Sequence, residues 1–344
     1  MIGPLLDRLR APPLLSESDV RRIFDHLLAP ATSESERVGL LLALTLRTET
    51  STELARLARE MRRRAEPFRV PAADRAVDLC GSGGARRPSF NVSTVSAFVV
   101  AAAGTPVVKH GNRSSRGLCG SSDLLTALGL PIESSIPFAR ASYVRYRIAF
   151  LHAPLFHPAT RAVGPARRTL GIPTVFNRLG PLSNPARVTI QVVGVPDLAA
   201  AVRAAATLPH LGVRRGLAMA SEEGCDEFSP RRPTHVVRWD PEGRHRMTVH
   251  PADYLETDER RGDWGPLSPT ASADETERLL AGGGGARRGA VLLTSGAALW
   301  VGGRVPSLAR GVQRAREALD GGGAETLLSD LRRLARRYRR RSEG

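Results

Sequence analysis

The sequence predicts an α/β protein: a small helical N-terminal domain, residues 1–70, and a larger α/β domain, residues 71–344, with a mainly parallel central sheet. Three observations point there. The first 68 residues carry helical periodicity, with apolar side chains three and four apart. From residue 76 onward the texture changes to short β-branched runs separated by helical segments. Strand, helix, strand in repetition is the pattern of a parallel sheet covered on both faces.

In order, "SESDVRRIFDHLLA" opens with Ser16 three residues before Asp19, a capping signal, and places Val20, Ile23, Phe24, Leu27 and Leu28 on one face. "SESERVGLLLALTLR" and "STELARLAREMRRRA" follow, each begun by a hydroxyl residue and each with one apolar stripe. "EPFRVPAADR" breaks the helical pattern. The strand-like runs are then "AVDLC", "TPVVKH", "RIAFLHA", "VTIQVVGV", "RGLAMAS" and "THVVRWD", separated by helical stretches such as "VSTVSAFVVAAAG", "SSDLLTALG" and "LAAAVRAAATLPHLG". Residues 157–187 interrupt the alternation with helical and Pro/Gly-rich sequence, and the glycine runs at 282–285 and 321–323 read as turns between helices.

Composition narrows the function. At 344 residues and 42% hydrophobic, the chain can bury a sizeable core. No apolar run approaches the roughly 18 residues of a membrane span, and Asp7, Arg8 and Arg10 interrupt the N-terminus where a signal peptide would be apolar, so a cytoplasmic location is expected. Cys80, Cys119 and Cys225 are an odd number at wide spacing, which fits small buried residues better than a disulfide framework or zinc site. The net charge of +16 raises nucleic acid as a partner, but the arginines are scattered except at the C-terminus, and the excess is discounted as compositional bias. Of fifty Lys plus Arg, a single residue, Lys109, is lysine. Its position therefore calls for a compact, rotatable ammonium rather than a planar fork.

Open parallel sheets bind ligands beyond the carboxyl ends of their strands, so the segments after the strands carry the chemistry. After "AVDLC", Gly81, Gly83 and Gly84 permit close backbone approach to an anion, and Ser93 and Thr94 stand at a helix start with free amides. After "TPVV", Lys109, His110, Asn112, Arg113, Ser114, Ser115 and Ser121 crowd thirteen positions with donors suited to phosphate. After "RGLAMAS", Glu222, Glu223, Asp226 and Glu227 put four carboxylates in six residues, a density that asks either for a cation, Mg2+ first, or for neutralising arginines such as Arg214 and Arg215. Together these segments describe a site for a polyphosphorylated substrate with magnesium.

The motifs "GSGG", "FNVST", "KHGNRSS", "GSSDLL", "RTLGIPTVFNRLGPLSNPAR" and "GCDEFSP" make the chain resemble the anthranilate phosphoribosyltransferases of tryptophan biosynthesis, nearly end to end. The resemblance implies a helical domain, to which helices from about 157–187 contribute, set on an α/β domain, and a homodimer formed through the helical parts. It implies that 5-phosphoribosyl 1-pyrophosphate (PRPP) is bound by Gly81, Gly84, Ser89, Asn91, Ser93, Thr94, Lys109, Gly111, Asn112, Arg113, Ser114, Ser115 and Ser121. Mg2+ would be held by Ser93, Asp226 and Glu227. Anthranilate would meet Gly81, Asn112, His152, Pro154, Thr160 and Arg167, the last taking its carboxylate, with Lys109, Asn112 and Arg167 as the catalytic set. His110 is expected to fix the loop rather than act as a base.

The chain also departs from that family. Ala85 stands where the family's "GTGGD" ends in a carboxylate, which predicts a weaker magnesium site or weaker PRPP affinity. His152 replaces an aromatic residue, and Thr160 and Ala162 replace larger ones, which opens a second reading in which a different aromatic acid is the acceptor. A third, non-catalytic reading as a nucleic-acid binder rests on Ala85 and the net charge; no membrane partner is expected.

Overall fold

The structure, a computed structural model, describes residues 2–10, 14–47, 49–72, 75–82, 85–114 and 118–339. The N-terminal helices are α1 (Gly3–Arg10), α2 (Glu17–Leu28), α3 (Glu34–Leu46) and α4 (Ser51–Arg63), and the last three begin at hydroxyl residues in reciprocal caps. At α2, Ser16 Oγ accepts the Asp19 N–H at 3.1 Å while the Asp19 carboxylate accepts the Ser16 N–H at 2.9 Å. Each cap satisfies amides that the first turn leaves free, so these helix starts are sharp.

From there the chain alternates: β1 (Val77–Gly81), α5 (Val92–Ala102), β2 (Val107–Gly111), α6 (Ser121–Ala127), α7 (Ile136–Tyr146), β3 (Ile148–His152) and α8 (Ala153–Phe156). An excursion holds a 3-10 turn at Pro158–Val163, then α9 (Gly164–Leu170) and α10 (Val175–Leu179). β4 (Ile190–Gly194), α11 (Leu198–Thr207) and β5 (Arg215–Ser221) resume the alternation. A hairpin, β6 (Thr234–Asp240) and β7 (Gly243–Val249), precedes α12 (Pro269–Leu280), α13 (Ala286–Val301), α14 (Leu308–Asp320) and α15 (Gly323–Arg339). The seven strands run in the order β3-β2-β1-β4-β5-β6-β7, parallel from β3 through β5 and antiparallel at β6 and β7.

The sheet buries both faces. One packs on α5 and α13, where Phe98, Val291 and Leu292 join Val77, Leu79 and Val107. The other packs Val193, Ala218 and Trp239 in one core with Ile23, Phe24, Leu41 and Leu57 of the N-terminal helices and Val163, Ala166, Val175 and Phe176 of the excursion. Such two-sided burial explains why the parallel strands read as continuous apolar runs. No helix of the described residues is long and apolar enough to cross a membrane.

Candidate active site

Leaving β1, the chain builds β2 and β3 on one side, then returns to build β4 and β5 on the other, so the sheet's switch point lies between β1 and β4. Crevices beyond the carboxyl strand ends at such points take ligands. The strand-end partners there are Gly81 and Gly194; a side chain at Gly194 would strike backbone, and one at Gly81 would displace the Asp226 carboxylate. A Cβ on Gly194 would fall 1.6 Å from the Asp226 carbonyl oxygen, and one on Gly81 would fall 2.7 Å from Asp226 Oδ2. The glycines thus let the acidic loop after β5 cross the strand tips and lay Asp226 in the crevice.

Asp226 Oδ2 accepts from Ser82 Oγ at 3.4 Å, and Glu227 Oε1 accepts the Ser93 N–H at 3.0 Å. Lys109 Nζ donates to the Leu79 carbonyl and, at 3.1 Å, to Ser93 Oγ. Ser93, at the start of α5, therefore joins the lysine to the carboxylate. Lys109 is only 3% exposed; its ammonium is embedded behind Ser93 rather than displayed on the loop. Burial and the neighbouring Asp226 charge push the Glu227 carboxyl up to about 8, with Lys109 and the Ser93 hydrogen bonds opposing the shift. Glu227 Oε2 is buried with no hydrogen-bond partner among the described residues. An unmet carboxylate oxygen in such a place is costly until a proton or cation meets it. Ser93 Oγ, Asp226 and Glu227 are hard oxygen donors and so fit Mg2+, which commonly takes one or two carboxylates and leaves its other positions to water and substrate phosphates. No cluster of three or more His, Cys, Asp or Glu suited to a metal occurs among the described residues.

The other two carboxylates of the loop are engaged elsewhere. Glu223 pairs with Arg87 at 3.3 Å and Arg231 at 3.4 Å, and Glu222 lies 3.5 Å from His235. These partners take the place of the expected Arg214 and Arg215.

The serine loop is folded on itself. A Cβ on Gly111 would meet Ser121 Oγ at 2.2 Å, and the Asn112 carbonyl accepts both Ser121 Oγ–H and the Ser122 N–H at 3.1 Å. Asp123, at the start of α6, accepts the N–H groups of Ser114 at 3.0 Å and Gly120 at 2.9 Å. Arg113 is held by Asp123 at 3.2 Å and Glu133 at 2.5 Å. Asn91 Nδ2 donates to the Cys119 carbonyl at 3.0 Å and ties this loop to the "FNVST" segment. Thr94 is buried within α5 and Ser89 is half-buried shortly before it, while Gly83, Gly84 and Ser115 lie outside the described residues.

On the acceptor side the residues do not converge so tightly. Arg167, on α9, bonds Asn177 Oδ1 at 3.3 Å and lies over the Phe176 ring, and burial lowers its pKa. Pro154 is the second residue of α8 and its carbonyl accepts from Arg161 at 3.5 Å. Thr160 Oγ1 donates to the His157 carbonyl at 2.7 Å, a bond within its own turn. His152 is buried and its Nδ1 lies 2.8 Å from Ser122 Oγ, so it supports α6 under the serine loop. His110 packs at a tilt against His157 with ring centroids 5.1 Å apart, and burial together with His157 holds its pKa well below the ordinary histidine value. Its ring contact is with the excursion, at His157.

Sequence reasoning missed a buried polar layer behind the crevice. Asp78 accepts the His110 N–H at 3.2 Å and Gln191 Nε2–H at 3.3 Å, and burial raises its carboxyl to about 6. Asn184 Nδ2 donates to the Val108 carbonyl at 2.8 Å. The available signals were an aspartate and a glutamine inside apolar strand runs, residue types that are buried only when partnered.

Residues 3–65 match the helical bundle domain of a glycosyl transferase family, and residues 73–325 match that family's a/b domain. The fold and crevice thus define a glycosyltransferase built from these two parts. More narrowly, the chain belongs to the anthranilate phosphoribosyltransferase family. It is 39% identical to the anthranilate phosphoribosyltransferase of Methanopyrus kandleri over 95% of this chain and 98% of that one. It is 37% identical to that of Syntrophobacter fumaroxidans, over 92% and 94%. The crystal structure of the Thermus thermophilus enzyme superposes with a TM-score of 0.87 at 36% identity, covering 96% of this chain and 99% of that one. The Saccharomyces cerevisiae enzyme, solved in complex with PRPP and Mg, shares the fold at 23% identity and a TM-score of 0.81, over 96% and 97%.

Proposed function

We propose that this enzyme transfers the 5-phosphoribosyl group of PRPP to the amine of anthranilate, with Mg2+, and releases pyrophosphate. The observation that carries the reading is the chain of contacts from Lys109 through Ser93 to Glu227, set beside Asp226 at the switch point. In the reaction the bond from C1 of the ribose to the pyrophosphate oxygen breaks, its electron pair leaving with pyrophosphate, and the amine nitrogen bonds to C1. The new nitrogen centre then loses its surplus proton to water or to the departing pyrophosphate. Ser93, Asp226 and Glu227 would hold Mg2+, which supplies charge neutralisation to the diphosphate.

The chain's own residues place the reactants. The serine loop, shaped by Asp123, offers its hydroxyls to the ribose phosphate, and Lys109 orients Ser93 while balancing the buried carboxylate. Arg167 offers a guanidinium to the acceptor's carboxylate from the helical side. An aromatic amine is nucleophilic once positioned, so no strong base is demanded. The alternative of another aromatic acceptor rests on His152, Thr160 and Ala162. His152 and Thr160 both have structural employment, with Ser122 and with the His157 carbonyl, which favours anthranilate.

The test is anthranilate fluorescence: it should fall on addition of PRPP and Mg2+, with pyrophosphate released in equal amount. Purified protein that consumes neither substrate would end the proposal. Leu46 and Ile172, exposed on the helical unit, suit a homodimer formed through that unit; a monomer by analytical ultracentrifugation would exclude it.

A further inference from the structure

At the opposite end of the sheet from the crevice, before β4 and β5 begin, α2 and α4 flank an open cavity of about 380 Å³ together with the segment around His210 and Leu211. Its lining has six arginines, Arg21, Arg56, Arg59, Arg62, Arg63 and Arg187, against two carboxylates, Glu17 and Glu60. Both carboxylates are already engaged. Glu17 pairs with Arg59 at 3.3 Å, and Glu60 is shared by Arg63 at 2.7 Å and Arg64 at 2.6 Å. Arg56 donates to the Leu15 carbonyl. Arg21 and Arg187 have no ion-pair partner among the described residues.

Arg62 decides the matter. It is 8% exposed, with Nε on the Leu182 carbonyl at 2.7 Å and Nη1 on the Leu211 carbonyl at 2.8 Å. Its Nη2 is buried and has no hydrogen-bond partner among the described residues. Burial pulls its pKa down to about 10, with Asp78 attracting it and Arg187 repelling it. Arg187 itself holds a left-handed backbone, φ 52°, a conformation that favours glycine, yet an arginine stands there. Asp78 compensates the Arg62 charge from within, whereas Arg187 and Arg21 are exposed and bring unmatched positive charge to the same lining, a surplus that an anion would relieve.

We propose that this cavity is a second anion site, separate from the crevice, which binds the phosphate group of a small phosphorylated metabolite or free phosphate between Arg62, Arg187 and Arg21. Guanidinium forks match phosphate oxygens in pairs, and the volume falls within the roughly 300–1,000 Å³ of small-ligand sites, leaving room for a body beyond the phosphate. The inference does not depend on the acceptor assigned above.

Calorimetric titration of the full chain with inorganic phosphate, and separately with sn-glycerol 3-phosphate, tests it. The comparison protein is the double variant Arg21→Ala, Arg187→Gly, whose glycine suits the left-handed backbone and whose positions lie outside the catalytic crevice. Phosphate affinity should weaken by about tenfold or more in the variant, a loss of one charge-assisted contact or greater, while the KM for PRPP stays within about twofold. Tighter binding of glycerol 3-phosphate than of phosphate would mark an organic monoester as the ligand, and equal binding would mark free phosphate. Identical titrations for the two proteins, or no binding by either, would overturn the proposal.

Discussion

Lys109 stands out in the sequence, and its setting differs from the one its uniqueness suggests. Its uniqueness among the basic residues suggests a compact ammonium at the substrate, and the structure places that ammonium inside, on the Leu79 carbonyl and Ser93 Oγ. Compactness still matters there, because a guanidinium must fit three nitrogens where one is accommodated. Lys109→Arg should therefore reduce turnover with PRPP by one to two orders of magnitude, about 1.4 to 2.8 kcal/mol, although charge is retained. Steady-state kinetics indistinguishable from the parent enzyme would show that the lysine is an accident of composition. Gly194 illustrates the opposite case: in the sequence it reads as one more residue of an apolar strand. Its role depends on Asp226 crossing 32 positions later in the chain, a contact that no local pattern encodes.

At the scale of elements, the buried parallel strands are legible because two-sided burial leaves continuous β-branched runs. β7 is not, since "GRHRMTV" is an edge strand whose Arg244, His245 and Arg246 face solvent and carry no apolar signal. The excursion at 157–187 is visible as an interruption, but its docking is not. That docking joins His157, whose Nε2 donates to the Ser183 carbonyl at 3.1 Å, to His110 on β2. Burial lowers the His157 pKa to about 4, and that of His110 well below its ordinary value. An unfolded chain would protonate both near ~6.5. Between those values the unfolded state binds protons that the folded state refuses, so this contribution to stability is complete above about pH 6.5 and is lost as pH falls towards 4. Urea titrations across that range should show the loss, and His157→Gln should reduce the slope by up to about 1.4 kcal/mol per pH unit. An unchanged slope would mean that His157 is protonated in the fold.

Over the whole molecule, two bodies of different texture are readable from periodicity, whereas their shared core is not, because it is assembled from residues far apart in sequence. The net charge of +16 poses the remaining question at this scale. Part of the arginine excess of the basic C-terminal helix is already paired: Arg332 bonds Glu277 of α12 and the Leu128 carbonyl, and Arg333 bonds Asp330 within the helix. Local pairing leaves the net charge intact, and a cationic protein attracts a polyanionic substrate over distances that salt shortens. The value of kcat/KM for PRPP should therefore fall about three- to tenfold between roughly 50 and 500 mM KCl, with kcat at saturation within about twofold. Duplex DNA supplies the control, since a nucleic-acid binder would show a steep log–log dependence of affinity on salt. A salt-independent kcat/KM would assign the charge to composition alone, and tight, salt-steep DNA binding without PRPP turnover would return the chain to the non-catalytic reading.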